Sequence, residues 1–204
     1  MTTVFFHSPD FFPALPFFYG LANSDVWVVM DHITFQSRTR QNICRVKTPT
    51  GIRLLHVPVK LPCNKPVFET MVNTYTNWQF LFLAALRSCY ENAPYYPSCI
   101  DDIKYYLQGP AVMIETLNVQ TTLLVANMLK IRPEIVYSQH ICSGMDEAET
   151  ISYVCTKMKA DAFTKEFVHP SYQQLWEPFE PNLSVLDALF CVGPDETAKL
   201  ISRF

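Results

Sequence analysis

The chain has 204 residues, 49% of them hydrophobic and 17% charged, with a formal net charge of −3. That length suits a single domain, within which three consecutive stretches are expected: β-rich over residues 1–75, helical over residues 76–130 and α/β over residues 131–204. The slight acidity and the lack of a dense Lys/Arg cluster argue against nucleic acid or an anionic membrane as partner, and no run reaches the roughly 20 apolar residues of a membrane span.

Val4–Phe6 is a short apolar run of strand formers that Pro9 ends, far too short for an export signal. Leu15–Ala22 follows a proline turn and is expected to be a short helix. Val26–Met30 (VWVVM) is apolar without alternation, the pattern of a strand buried on both faces and parallel to the first. Asn42–Val46 and Ile52–Val59 flank a Pro/Gly turn and predict a β-hairpin. Trp78–Asn92, Ser98–Tyr106 and Ala111–Leu129 have helical spacing, with Ser98 as a candidate N-cap. Glu134–Ile141 predicts a strand, Asp146–Met158 a helix and Ala162–Phe167 another strand. Leu183–Phe190 and Glu196–Arg203 predict two short helices. The alternation gives an α/β class: a mainly parallel sheet with flanking helices, a β-hairpin arm after strand 2 and a helical middle section.

Seven cysteines (Cys44, Cys63, Cys89, Cys99, Cys142, Cys155 and Cys191) are scattered, with no CxxC pair and no structural-zinc spacing. Reduced thiols in a cytoplasmic protein are expected, with no metal. No GxGxxG, Walker loop or GxSxG elbow is present, and no cofactor is expected. Cys44, beside Arg45, is the best thiol nucleophile, but strand alternation sets the two on opposite faces.

Residues able to do chemistry concentrate early in the chain. His7 follows the first strand and reads as a general base or acid, the competing role being a loop anchor. Asp10 lies three residues on. Asp31 ends a strongly apolar strand, where a carboxylate is costly unless paired or facing a polar cleft. It could orient His7 or His32, position an amine nucleophile, or pair with Arg40 or Arg45. His32, one residue further, is expected on the opposite face. Gln41, Asn42 and Arg45 on the hairpin arm suit carboxylate, phosphate or sugar hydroxyls, Arg45 as the anion grip. A second cluster, His169 with Tyr172 and Gln174, sits in a proline-fixed loop, and Ser184 with Asp187 has the spacing of a helix cap.

The ordered pieces His7–Pro13 (HSPDFFP), Ser24-Asp25-Val26, Met30-Asp31-His32, Arg40-Gln41-Asn42, Arg45-Val46-Lys47, Val57-Pro58-Val59, Trp78, Ala93-Pro94-Tyr95-Tyr96 and His169–Gln174 (HPSYQQ) resemble the WbqC-like protein family over nearly the whole chain. Ser8, His32, Ile43 and Cys191 depart from its usual Gln, Asp, Arg and Asn. The resemblance implies small-molecule, natural-product or O-antigen biosynthesis and acyl or aminoacyl transfer forming an amide on an amine acceptor. His7, Asp31 and His169 would then be catalytic, with Asp10, Gln41, Asn42, Arg45, Tyr172 and Gln174 binding a small-molecule substrate. The alternatives are a condensation, cyclisation or dehydration enzyme acting on a carrier-bound intermediate, and a non-catalytic partner of an acyl or peptidyl carrier protein, which would prefer the Arg38–Lys47 arm.

Overall fold

A computed structural model describes residues 2–61, 64–109, 112–141 and 144–202. Its centre is a four-stranded parallel sheet of β1 (Thr2–His7), β2 (Val26–Val29), β5 (Glu134–Tyr137) and β6 (Ala160–Ala162), in the order β5-β2-β1-β6. Every residue of β2 is buried, as its unbroken apolar run requires of a strand covered on both faces. In register, His7 of β1 lies opposite Val29 of β2, and Val29 opposite Tyr137 of β5.

Alternation along the strands divides two cores. Phe5, Trp27 and Val29 pack with α1 (Leu15–Ala22), α4 (Ile114–Met128) and α6 (Val185–Ser202); Val4, Val26 and Val28 pack with Val154 of α5 (Glu147–Met158) on the other side. Pro16 opens α1, where its missing N–H costs no hydrogen bond. Gly20 lets α1 lie against the sheet: a Cβ there would stand 2.4 Å from Cε2 of Phe5. Asp146 and Glu149 close a capping box at the start of α5.

Between β2 and β5 the chain makes the antiparallel hairpin β3 (Ile43–Thr48)–β4 (Gly51–His56), then α2 (Trp78–Tyr90), α3 (Tyr96–Leu107) and α4. The predicted class and layout therefore hold, with local differences. Helix α3 begins two residues before Ser98, whose hydroxyl donates to the Tyr95 carbonyl instead of capping the helix. After Tyr137 the chain tightens into a 3₁₀ turn, Ser138–His140, so β5 is half its expected length. Lys159, in a left-handed conformation, ends α5, and β6 follows at once; residues 163–184 then run as an irregular strap in place of the expected strand. Tyr19 of α1 holds that strap through Phe163 and Phe167, ring centroids 5.6 and 5.2 Å away. The two expected C-terminal helices form one element broken at Gly193 (φ 83°), before Pro194. Cys63, Cys142, Ala111 and Arg203 lie outside the described residues.

From β1 the chain steps to β2 and β5 on one side and returns to β6 on the other, so strand order reverses between β1 and β6. In open α/β sheets, ligands gather at the carboxyl ends of the strands beside that reversal. His7 is the last residue of β1. Among the described residues, no helix is long and apolar enough to cross a membrane.

Candidate active site

The carboxyl end of β1 holds His7 in a fixed pose. Its half-buried ring stacks on Phe5 (5.5 Å between centroids, 26° between planes) and meets the edge of Phe17 at 4.9 Å. Nδ1 lies 2.7 Å from the Ser8 carbonyl. A carbonyl only accepts, so Nδ1 carries the proton and Nε2 presents the lone pair. Backbone pairing fixes the strand end: the His7 carbonyl accepts from the N–H of Met30 at 3.0 Å and from Nε1 of Trp27 at 3.2 Å.

Asp10 follows, only 4% exposed. Burial raises its pKa, while the nearby charges of His7 and then Arg40 oppose that shift. Arg40 and Arg45 line one small recess with Phe12 and Asn182. Among the described residues no ion pair includes either arginine, and Nε of Arg45 is buried without an acceptor.

Asp31 is fully buried just past β2. The strand stops at Val29 and the chain bends, so Asp31 and His32 do not alternate as an extended strand would make them. Both reach Ser138, at the carboxyl end of β5. Oδ1 of Asp31 accepts from Oγ of Ser138 (2.8 Å) and from the N–H of Gln139 (2.9 Å). Nδ1 of His32 lies 2.6 Å from the same Oγ, and its Nε2 lies 3.3 Å from Oγ1 of Thr150. The expectation that Asp31 and His32 face opposite ways is thus corrected. Among the described residues Oδ2 of Asp31 has no partner.

The other anticipated residues are held by the fold in various ways. Oε1 of Gln41 accepts from the N–H of Gln36 (2.8 Å). Asn42 accepts from the N–H of Arg38 (2.9 Å) and donates to the Val57 carbonyl (3.1 Å), fastening the loop onto the hairpin. His169 spends both ring nitrogens on backbone, donating to the Pro170 carbonyl (3.1 Å) and accepting from the N–H of Asn182 (3.1 Å). Burial lowers its pKa, which suits a neutral ring in those roles.

Tyr172 and Gln174 belong to a separate buried network. The two oxygens of Asp187 accept from the hydroxyls of Tyr90 and Tyr172, each at 2.8 Å. Gln174 accepts from Nζ of Lys47 at 2.8 Å, and the same ammonium donates to the Pro178 carbonyl. Ser184 does sit at a helix start, accepting from the N–H of Leu186, but Asp187 is the acceptor of this network and does not share in a cap. Burial pushes the thiols of Cys44 and Cys191 up to about 12, which leaves neither as a thiolate at neutral pH.

Glu115 and Asn118 belong to no motif of the sequence and lie in a helix, α4, that mixes polar and apolar residues almost evenly. With Thr122 they fall at i, i+3 and i+7, one buried stripe of the helix. Asn118 donates to the carbonyls of Pro9 (2.8 Å) and Gln41 (2.7 Å), joining the β1 end to the hairpin loop. That polar spacing along one face of the helix was the available signal.

Parallel strands reversing order beside His7, with acidic groups gathered at their carboxyl ends, define a doubly wound α/β protein with its polar centre at the sheet edge. The profile of the WbqC-like protein family matches residues 8–167 and 162–199, and the chain belongs to that family. It is also similar to the uncharacterized protein Rv1507c of Mycobacterium tuberculosis (strain ATCC 25618 / H37Rv), 22% identical over 91% of this chain and 92% of the relative. No solved structure matches.

Proposed function

We propose that the protein is a biosynthetic enzyme of small-molecule or glycan assembly that transfers an acyl or aminoacyl group to an amine acceptor, forming an amide. One observation carries the reading: His7, at the carboxyl end of β1 beside the strand-order reversal, keeps Nδ1 protonated against Ser8 and leaves Nε2 as the base. In the proposed reaction Nε2 takes the proton that the acceptor nitrogen loses as it attacks the acyl carbon, and the leaving group departs with the bonding electron pair. Asp10 sits close enough to steady the imidazolium so formed. Arg40 and Arg45, in no ion pair among the described residues, grip an anionic handle of the donor. General-base catalysis supplies about 10²–10⁴-fold, and orientation of the two substrates must supply the rest. His169, with both nitrogens engaged, fastens the strap, and Tyr172 and Gln174 support it from behind.

The test is intact-mass analysis of reactions pairing acyl-CoA or acyl-carrier donors with amine acceptors, for the wild type and His7→Ala. A new amide mass that falls at least 100-fold in the variant supports the reading. A stable carrier complex with no product from either protein would replace it with the non-catalytic docking role.

A further inference from the structure

The hairpin has two outer edges, and only one of them is claimed. The N–H of Val57 donates to the Asn42 carbonyl at 2.9 Å. Bonded and unbonded pairs alternate along an antiparallel ladder, so β4 bonds β3 through Leu55 and Arg53, opposite Cys44 and Val46. Ile52, Leu54 and His56 then turn their N–H and C=O groups away from β3. Strand β3 keeps the same phase. On its outer edge the Arg45 carbonyl accepts from the N–H of Ser184 (2.9 Å), and the N–H of Lys47 donates to the Tyr90 hydroxyl (3.0 Å). The outer edge of β4 has no such partners. This strand pairs with β3 alone, and no hydrogen bond among the described residues uses the outward groups of Ile52, Leu54 or His56. A row of that kind is a template for another strand.

A groove of about 330 Å³ runs along this edge. Arg53, Leu54, Leu55 and His56 line one side of it. Consecutive strand residues point to opposite faces, so a groove touching all four follows the edge of β4 and not one face. Trp78, Leu81, Phe82 and Ala85 of α2 line the other side, at i, i+3, i+4 and i+7, one stripe of the helix. Leu54 is 48% exposed and Leu81 64%, so each wall offers an apolar side chain to a guest.

Charge narrows the choice of guest. Arg53 and His56 are exposed on a lining that holds no Asp or Glu, and neither belongs to an ion pair among the described residues. A second copy of β4 would bring the same two basic residues and no acid. Like charges set across a strand pair are destabilising, which favours a different, acidic chain.

We infer that the groove between β4 and α2 is the docking site of an extended peptide segment of a partner protein, apolar at its centre and acidic at its ends. The segment pairs with β4 as a third strand, and its alternate side chains enter the groove. Docking there needs neither His7 nor the acyl-transfer reading. The groove nevertheless backs onto the residues after Asp10, since Phe82 lies 5.2 Å from Phe11 and 5.9 Å from Phe12 between ring centroids.

The experiment titrates the full chain with the blocked peptide acetyl-DVLVTD-amide, reading amide shifts and hydrogen exchange by NMR. Protection should appear at the N–H groups of Ile52, Leu54 and His56. Methylating alternate peptide nitrogens, in each of the two phases, should abolish binding in one phase and spare it in the other, because one row of amides faces β4. The lysine-ended peptide acetyl-KVLVTK-amide should bind about 10-fold more weakly. Leu54→Pro removes an outward N–H and no bond to β3, and should weaken the acidic peptide about 10-fold. Should that variant not fold, Leu81→Glu sets a like charge on the exposed wall of α2 and should weaken the peptide in the same direction. No protection at millimolar peptide would overturn the inference. So would equal binding of both methylated phases, an equal affinity for the lysine-ended peptide, or binding unchanged in both variants. A dimer of the chain alone, seen by sedimentation and dissociated by Leu54→Pro, would also overturn it and give the edge to a second copy.

Discussion

Glu115 and Asp187 are both buried carboxyls, and they meet opposite surroundings. Asp187 has a tyrosine hydroxyl on each oxygen and the charge of Lys47 nearby, all of which oppose the upward push of burial. Among the described residues Glu115 has a single hydroxyl donor, Thr116, at 3.1 Å, and Asp31 adds to the push. Its folded pKa lies above its unfolded one, so the folded state binds that proton more tightly. The resulting penalty on stability is complete above the folded value and disappears as the pH falls to the ordinary carboxylate range near 4. Glu115→Gln removes a titrating group and keeps the shape. Urea unfolding from pH 8 to pH 4 is expected to show the variant gaining on the wild type at the alkaline end and losing that advantage toward pH 4. A constant difference across the range would mean that Glu115 is not held by burial against Asp31.

The elements were legible in proportion to how locally they are determined. The apolar block VWVV, the proline-opened α1, the hairpin around its Gly51 turn and the helix ending at Met158 all carry their cause within a few residues, and each appears where the sequence puts it. The strap at 163–184 has no such local cause. Its shape comes from Tyr19 and Lys47, more than a hundred residues away, so its hydrophobic start reads as a strand in isolation. The site divides the same way. His7 and Asp10 announce themselves beside a strand end, whereas Asp31 joins His32 only because Ser138 arrives from a distant strand. The α1–β1 contact offers a test at this scale. A methyl at Gly20 cannot share space with the Phe5 ring on which His7 stacks. Gly20→Ala is expected to cost about 1–3 kcal/mol in chemical denaturation and to lower amide formation, although it alters no polar atom. Full activity in that variant would show that the Phe5 stack does not position His7.

At the scale of the whole molecule, one buried ammonium ties the hairpin to the strap. Lys47 is 4% exposed, and its acceptors, Gln174 and the Pro178 carbonyl, stand some 130 residues further along. Lys47→Met replaces the chain with one of similar length, takes the ammonium donor from the Pro178 carbonyl and leaves Oε1 of Gln174 with the N–H of Glu180 alone. The expected loss is about 2–4 kcal/mol, accompanied by limited proteolysis within 163–184 well before the sheet is cut. Cleavage spread evenly over the chain would instead mean that the strap and the sheet open together.

The strand order also governs the protein's birth. Strand β1 is flanked by β2, made almost immediately after it, and by β6, which is not synthesised until residue 160. At ordinary translation speeds the interval is on the order of ten seconds. Throughout it the side of β1 that β6 will pair, Thr2–Val4, keeps its hydrogen-bonding groups unclaimed, with Phe5 and Phe6 close by. The ribosome thus releases the strand that bears His7 long before the strand that completes its pairing, and a chaperone bound to β1 in that interval would guard the fold at its centre.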